Sequence, residues 1–157
     1  MDELILEAAD EAATERIGAA LAALLPAGAV VALHGTLGAG KTRLVQAIAA
    51  ASGIERAEVV SPTFVLLATY RGRRTIHHLD AYRLRDEDDF REIGGDEILA
   101  SGDLVFIEWA EKIAAALPAD RLDLILEVTG PTTRRICFRT SNEHIQRCLN
   151  ELVQLGS

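Results

Sequence analysis

The stretch Gly35-Thr36-Leu37-Gly38-Ala39-Gly40-Lys41-Thr42 leaves bare backbone beside a positive charge, at the spacing G-x-x-x-x-G-K-T. Amide N–H groups can wrap around phosphate oxygens only where side chains stay out of the way. Gly35, Gly38, Ala39 and Gly40 meet that need, with Leu37 inside the same loop. Lys41 supplies a full charge for β- and γ-phosphates, and the Thr42 hydroxyl is placed to ligate Mg²⁺. A helix opening at Lys41 would turn the positive end of its dipole toward the same anion. The plain alternative is a glycine-rich turn with a surface lysine. The apolar run before the loop and the helical pattern after it favour nucleotide binding.

A phosphate loop needs a further carboxylate on the metal side, usually at the end of an apolar strand. Glu108 ends Leu104-Val105-Phe106-Ile107, and Asp80 ends the more polar Thr75-Ile76-His77-His78-Leu79. One would hold the metal, directly or through water, and the other would orient the attacking water. Spacing alone does not rank them, and either could be an ordinary strand-end or capping acid. Ser61 and Thr63 flank Pro62 and offer hydroxyls that a switch-like segment could present to a γ-phosphate or to Mg²⁺. A strand-entry turn would explain the same residues. His77 and His78 are neighbours on a strand and point to opposite faces, which argues against a metal dyad with Asp80. Trp109 is the only tryptophan and directly follows Glu108, so it either packs or lines the nucleotide side.

These groups need a scaffold. Ile17, Ala20, Leu21, Leu24 and Leu25 recur at helical spacing and predict an amphipathic helix that stops at Pro26 and Gly28. Val30, Val31, Ala32 and Leu33 predict a buried strand before the loop. Leu44, Val45 and Ile48 continue a helix from Lys41, with Gly53 as its stop. Residues 65–70 and 75–79 read as strands joined by the turn Arg71-Gly72-Arg73-Arg74. A polar helical stretch from Arg85 to about Leu99 breaks near Gly94-Gly95, and residues 104–109 form an apolar strand. Leu122, Leu124, Leu126 and Val128 alternate on a half-buried strand. It turns at Gly130-Pro131 and returns through Ile136 and Phe138. A last amphipathic helix, about residues 141–154, buries Ile145, Cys148, Leu149 and Leu152. The expected fold class is α/β, a sandwich of helices around a mainly parallel sheet with antiparallel additions.

The 157 residues read as a single domain spanning 1–157, and 49% of them are hydrophobic, which argues against disorder. A net charge of −8 opposes a broad electrostatic grip on nucleic acid, although Arg71, Arg73 and Arg74 form a local basic patch. No stretch approaches the roughly 18 to 20 apolar residues of a membrane span. Cys137 and Cys148 show neither metal-ligand spacing nor a disulfide framework. The expected location is cytoplasmic.

Several segments taken together are more specific than the loop alone. "HGTLGAGKT", "VSPTFVLLATY", "HLDAYRL", "EIGGDEI" and "IEWAEKI" stand in the order and spacing of the TsaE family, which the chain resembles from about residue 14 to 134. Those proteins are bacterial P-loop ATPases required for threonylcarbamoyl modification of tRNA adenosine beside the anticodon. The resemblance implies a P-loop NTPase-like three-layer sandwich with ATP and Mg²⁺ as cofactors. It implies that Thr42 and Glu108 bind the metal and that Asp80 is needed for hydrolysis, alongside Lys41 on the phosphates. Ser61 and Thr63 would belong to a switch-like loop. Thr14, Thr132 and Arg134 match family positions near the base. The implied partners are TsaB and TsaD, the latter performing the carbamoyl transfer, with tRNA contact indirect or open. The family usually has proline after the tryptophan, where this chain has Ala110.

Two other function classes fit the loop. A small-molecule kinase would need an acceptor pocket and an arginine-bearing lid, for which the 71–74 turn is the only candidate. A nucleotide-responsive binding module would need negligible chemistry. A GTPase is disfavoured because the chain has no Asn-Lys-x-Asp segment. Only Arg83 and the 71–74 turn stand out as arginines that could complete the phosphate site. Hydrolysis is therefore expected to be slow without partner proteins.

Overall fold

A computed structural model of the chain describes residues 2–36, 40–55 and 67–155. In chain order its elements are β1 (Asp2–Ala8), α1 (Glu11–Leu24), β2 (Val30–His34), α2 (Lys41–Ala51), β3 (Leu67–Tyr70), β4 (Ile76–Asp80) and α3 (Glu87–Glu92). There follow α4 (Gly95–Leu99), β5 (Leu104–Glu108), a 3-10 segment (Ala110–Ala116), β6 (Leu122–Val128), β7 (Arg134–Thr140) and α5 (Glu143–Leu155).

One sheet of seven strands runs in the order β1-β7-β6-β2-β5-β4-β3. Its centre is parallel, through the pairs β6–β2, β2–β5 and β5–β4. The pairs β1–β7, β7–β6 and β4–β3 are antiparallel. Parallel strands need both faces covered, which is why β2 and β5 are apolar without alternation. Val31 and Leu33 enter a core with residues of α1, α2 and α5, while Val30 and Ala32 enter a second core with Phe90 and Ile113. Burying each Val or Leu contributes about 1.5–3 kcal/mol. The result is the expected three-layer α/β sandwich.

The helix facing α2, which is α1, begins with a side-chain cap: Asp10 accepts the Ala13 N–H at 2.8 Å. Its tight seat against α2 depends on Gly18. A Cβ there would lie 2.7 Å from Ala47 Cβ, inside any real carbon contact. The predicted break between α3 and α4 is present, with Gly94 in the left-handed region at φ 86°.

Several boundaries differ from expectation. The first strand, β1, was not anticipated, because Glu3 and Glu7 make its pattern look solvated. Pairing with the whole of β7 supplies the order that the local sequence lacks. β4 runs one residue further than read and takes in Asp80, whereas β5 stops at Glu108 because Trp109 turns to φ 59°. The 3-10 segment that follows was not expected either. Val128 is 50% exposed at the far end of β6, so the half-buried alternation ends at Leu126. Cys148 is only half-buried, and Ile145, Leu149 and Leu152 carry the apolar face of α5. Residues 65 and 66 of the first predicted hairpin strand lie outside the described residues.

Candidate functional site

Parallel register brings the chemistry to one end of the sheet. Asp80 stands opposite Glu108, and Glu108 stands opposite Leu33, one residue before His34 and the glycine loop. Ligands of α/β sheets bind at these carboxyl ends. Strand alternation then sorts the side chains. His78 and Asp80, like Phe106 and Glu108, share the face on which α2 packs, since Phe106 belongs to the core beneath that helix. Helix α2 starts at Lys41 after Gly40, whose φ of 100° favours glycine, and Leu44 N–H closes the first turn on Gly40 O at 2.9 Å.

Lys41 is the hub. Its Nζ donates to Gly35 O at 2.9 Å and lies 3.3 Å from Glu108 Oε1. The other Glu108 oxygen, Oε2, accepts from His78 Nε2 at 2.9 Å. Glu108 is 7% exposed and His78 is fully buried. Burial alone would push the Glu108 carboxyl up. The hydrogen bond from His78 and the nearby Lys41 ammonium outweigh it and hold the group below its ordinary range.

Asp80 has different company. Its Oδ1 accepts the Tyr82 N–H at 2.9 Å, and the intervening Ala81 N–H donates to Glu108 O at 2.9 Å. The two carboxylate-bearing ends are thus tied through backbone. Trp109, 44% exposed, meets the Tyr82 ring at a centroid distance of 5.0 Å, tilted by 59°. The Lys112 ammonium sits 5.0 Å from that Tyr82 centroid and donates to Tyr82 O at 2.8 Å.

On the other flank, the turn between β6 and β7 approaches the end of the glycine loop. Arg134 donates to Gly130 O and Thr133 O at 3.1 and 2.8 Å. Its Nε lies 3.9 Å from where a Gly40 Cβ would be. Thr132 is exposed in that turn, and Thr14 is buried in the first turn of α1. Thr42 is half-buried in the first turn of α2. Leu37, Gly38, Ala39, Ser61 and Thr63 lie outside the described residues.

The arginine turn is elsewhere. It precedes β4 and therefore lies at the opposite end of that strand from Asp80. Arg74 donates to Ala22 O and Leu25 O at 2.9 and 2.6 Å, and Arg73 donates to Ala51 O. Both satisfy carbonyls at helix C-termini, which corrects the reading of this turn as a lid or a binding patch. The two neighbouring histidines do face opposite ways: His77 bonds Thr69 and Asp103, and His78 bonds Glu108. Sequence reasoning missed His78 as part of the site. The signal was there, two residues before Asp80 and so on its face.

Among the described residues no three His, Cys, Asp or Glu side chains form a metal-holding group. A cation here would have to take few protein ligands, and the donors at hand are hard oxygens, the Thr42 hydroxyl and the Glu108 carboxylate. That donor set fits Mg²⁺, which keeps several waters and relies on substrate phosphates.

The family model described as Threonylcarbamoyl adenosine biosynthesis protein TsaE matches residues 8–136. The chain is 42% identical over 123 residues to the Treponema pallidum tRNA threonylcarbamoyladenosine biosynthesis protein TsaE, covering 78% of this chain and 90% of that one. It is 34% identical over 140 residues to the Bacillus subtilis protein of the same name, covering 88% and 87%. The crystal structure of Bacillus subtilis YdiB superposes with a TM-score of 0.81 at 26% identity, covering 99% of this chain and 97% of that one.

Proposed function

The chain belongs to the TsaE family of tRNA threonylcarbamoyladenosine biosynthesis, and from that premise we propose that it binds and hydrolyses Mg-ATP in support of this tRNA modification. The observation that carries the reading is Lys41, held between Gly35 O and Glu108 Oε1 at the mouth of the glycine loop. A nucleotide phosphate would offer Lys41 anionic oxygens in place of those two acceptors.

Lys41 and the loop amides bind the phosphates, and the N-terminus of α2 adds its dipole. Thr42 and Glu108 would hold Mg²⁺, which when bound would offset the negative charge of the phosphates. Asp80 orients the attacking water, its carboxylate fixed by the Tyr82 N–H. Trp109 and Arg134 flank the nucleotide on either side of the loop, and Thr14 and Thr132 stand near the base. Ser61 and Thr63 belong to the segment that responds to the γ-phosphate. TsaB and TsaD are the proposed partners, with tRNA contacted through them. No described helix is long and apolar enough to cross a membrane, and a cytoplasmic location is part of the proposal. The kinase alternative loses its only lid candidate, because Arg73 and Arg74 are engaged at the far end of the sheet.

Lys41→Ala removes a charge-assisted contact worth about 1.5–3 kcal/mol, roughly ten- to a hundredfold in ATP affinity. Titration calorimetry on the folded variant measures it. Unchanged affinity would defeat the assignment of the loop.

A further inference from the structure

We propose that His78 is the positioning residue of the metal-side carboxylate, orienting Glu108 through its Nε2–H; the proposal rests on the Mg-ATP reading above. The ring is fully buried in the sheet. Its Nε2 meets Glu108 Oε2 at 2.9 Å, while Nδ1 is the one buried side-chain nitrogen or oxygen without a partner among the described residues. A buried polar atom with no partner is uncommon and weighs against stability. An apolar side chain at position 78 would avoid it, so the histidine is present for what Nε2 does. Glu108 must accept, so Nε2 carries a proton and donates it to this bond.

The bond matters because a carboxylate rotates freely about its last torsion, whose preferences are broad. In this structure two groups hold it: Lys41 at Oε1, at the longer distance of 3.3 Å, and His78 at Oε2. When Lys41 turns to a phosphate, His78 is the side-chain contact that stays. It fixes the plane of the carboxylate and leaves Oε1 turned toward the loop. Partners that orient a ligating side chain in this way typically change metal affinity by about 10- to 100-fold when removed.

The test is the Mg²⁺ dependence of ATP binding, followed by calorimetry across a magnesium titration in wild type, Glu108→Ala, His78→Leu and His78→Gln. His78→Leu keeps bulk and loses the donor; His78→Gln restores an N–H at similar reach. His78→Leu should raise the magnesium needed for half-maximal binding by roughly tenfold or more, with magnesium-free ATP affinity unchanged, and His78→Gln should recover most of it. If Glu108→Ala shifts the magnesium dependence and His78→Leu does not, His78 has no positioning role. If Glu108→Ala has no effect either, the metal assignment itself fails and takes the proposal with it. Equal loss of magnesium-free affinity in both histidine variants would make His78 a structural residue only. Nitrogen-15 NMR of the wild-type imidazole gives a check independent of any variant. A proton on Nε2 supports the proposal, and a ring protonated on Nδ1 alone overturns it.

Discussion

Asp80 and Glu108 face each other across adjacent parallel strands, yet their partners differ in kind. Glu108 is engaged by Lys41 and His78, whereas Asp80 accepts a backbone N–H from Tyr82. The first arrangement suits a group that holds a cation, the second a group kept ready for a water. Glu108→Ala should therefore weaken the dependence of nucleotide binding on Mg²⁺. Asp80→Ala should keep binding while phosphate release falls by about 10²–10⁴, the scale of positioned acid–base groups. Exchanged phenotypes in a magnesium titration with parallel rate measurements would reverse the two roles. At this scale the sequence was legible where chemistry is contiguous: the loop with Lys41 and Thr42 is read in one pass. It could not rank the two carboxylates or find the His78 contact, because that bond spans 30 residues and exists only once β4 lies beside β5.

Elements built on local signals were equally readable. The helix stops at Pro26 and Gly53, the Gly94 break and the apolar runs of β2 and β5 are written in consecutive residues. The strand β1 and the 3-10 segment were not, since both depend on distant neighbours rather than on their own periodicity. Two predictions belong here. Replacing Gly18 by valine forces side-chain atoms into Ala47 across the α1–α2 seam. The expected loss is about 1–3 kcal/mol, from overpacking, and chemical denaturation at an unchanged slope measures it. The start of α3 offers a pH test. Arg85 bonds the Asp89 carboxylate through its side chain and its backbone N–H, and lowers its pKa from 3.8 to about 2. A depressed carboxylate stabilises the fold fully above its unfolded value and stops doing so as pH falls through its folded value. The thermal-midpoint gap between wild type and Asp89→Asn should therefore narrow as pH drops from 3.8 to about 2. A gap independent of pH would mean that the Arg85 pair does not form in solution.

For the molecule as a whole, two cores clamp the central strands from opposite faces and make the carboxyl ends of those strands a firm platform. Of the arginines that stood out in the sequence, Arg73 and Arg74 serve helix ends, while Arg83 is exposed three residues past Asp80. On the proposed ATPase reading, turnover would be slow until another surface orders the loops or adds charge, an effect that can reach about 10³–10⁵. Phosphate release should rise on adding a TsaB–TsaD complex, and equal rates at saturating, independently verified binding would favour a self-sufficient ATPase. The residue-by-residue pairing of β1 with β7 has a colloidal consequence. Without residues 2–8, the backbone N–H and C=O groups of β7 would become a raw sheet edge, a template for strands of other molecules. A chain lacking that segment should self-associate with rising concentration, visible by light scattering, even though every phosphate-loop residue is intact. The first strand, three places from β2 in the sheet, is what covers the edge of β7.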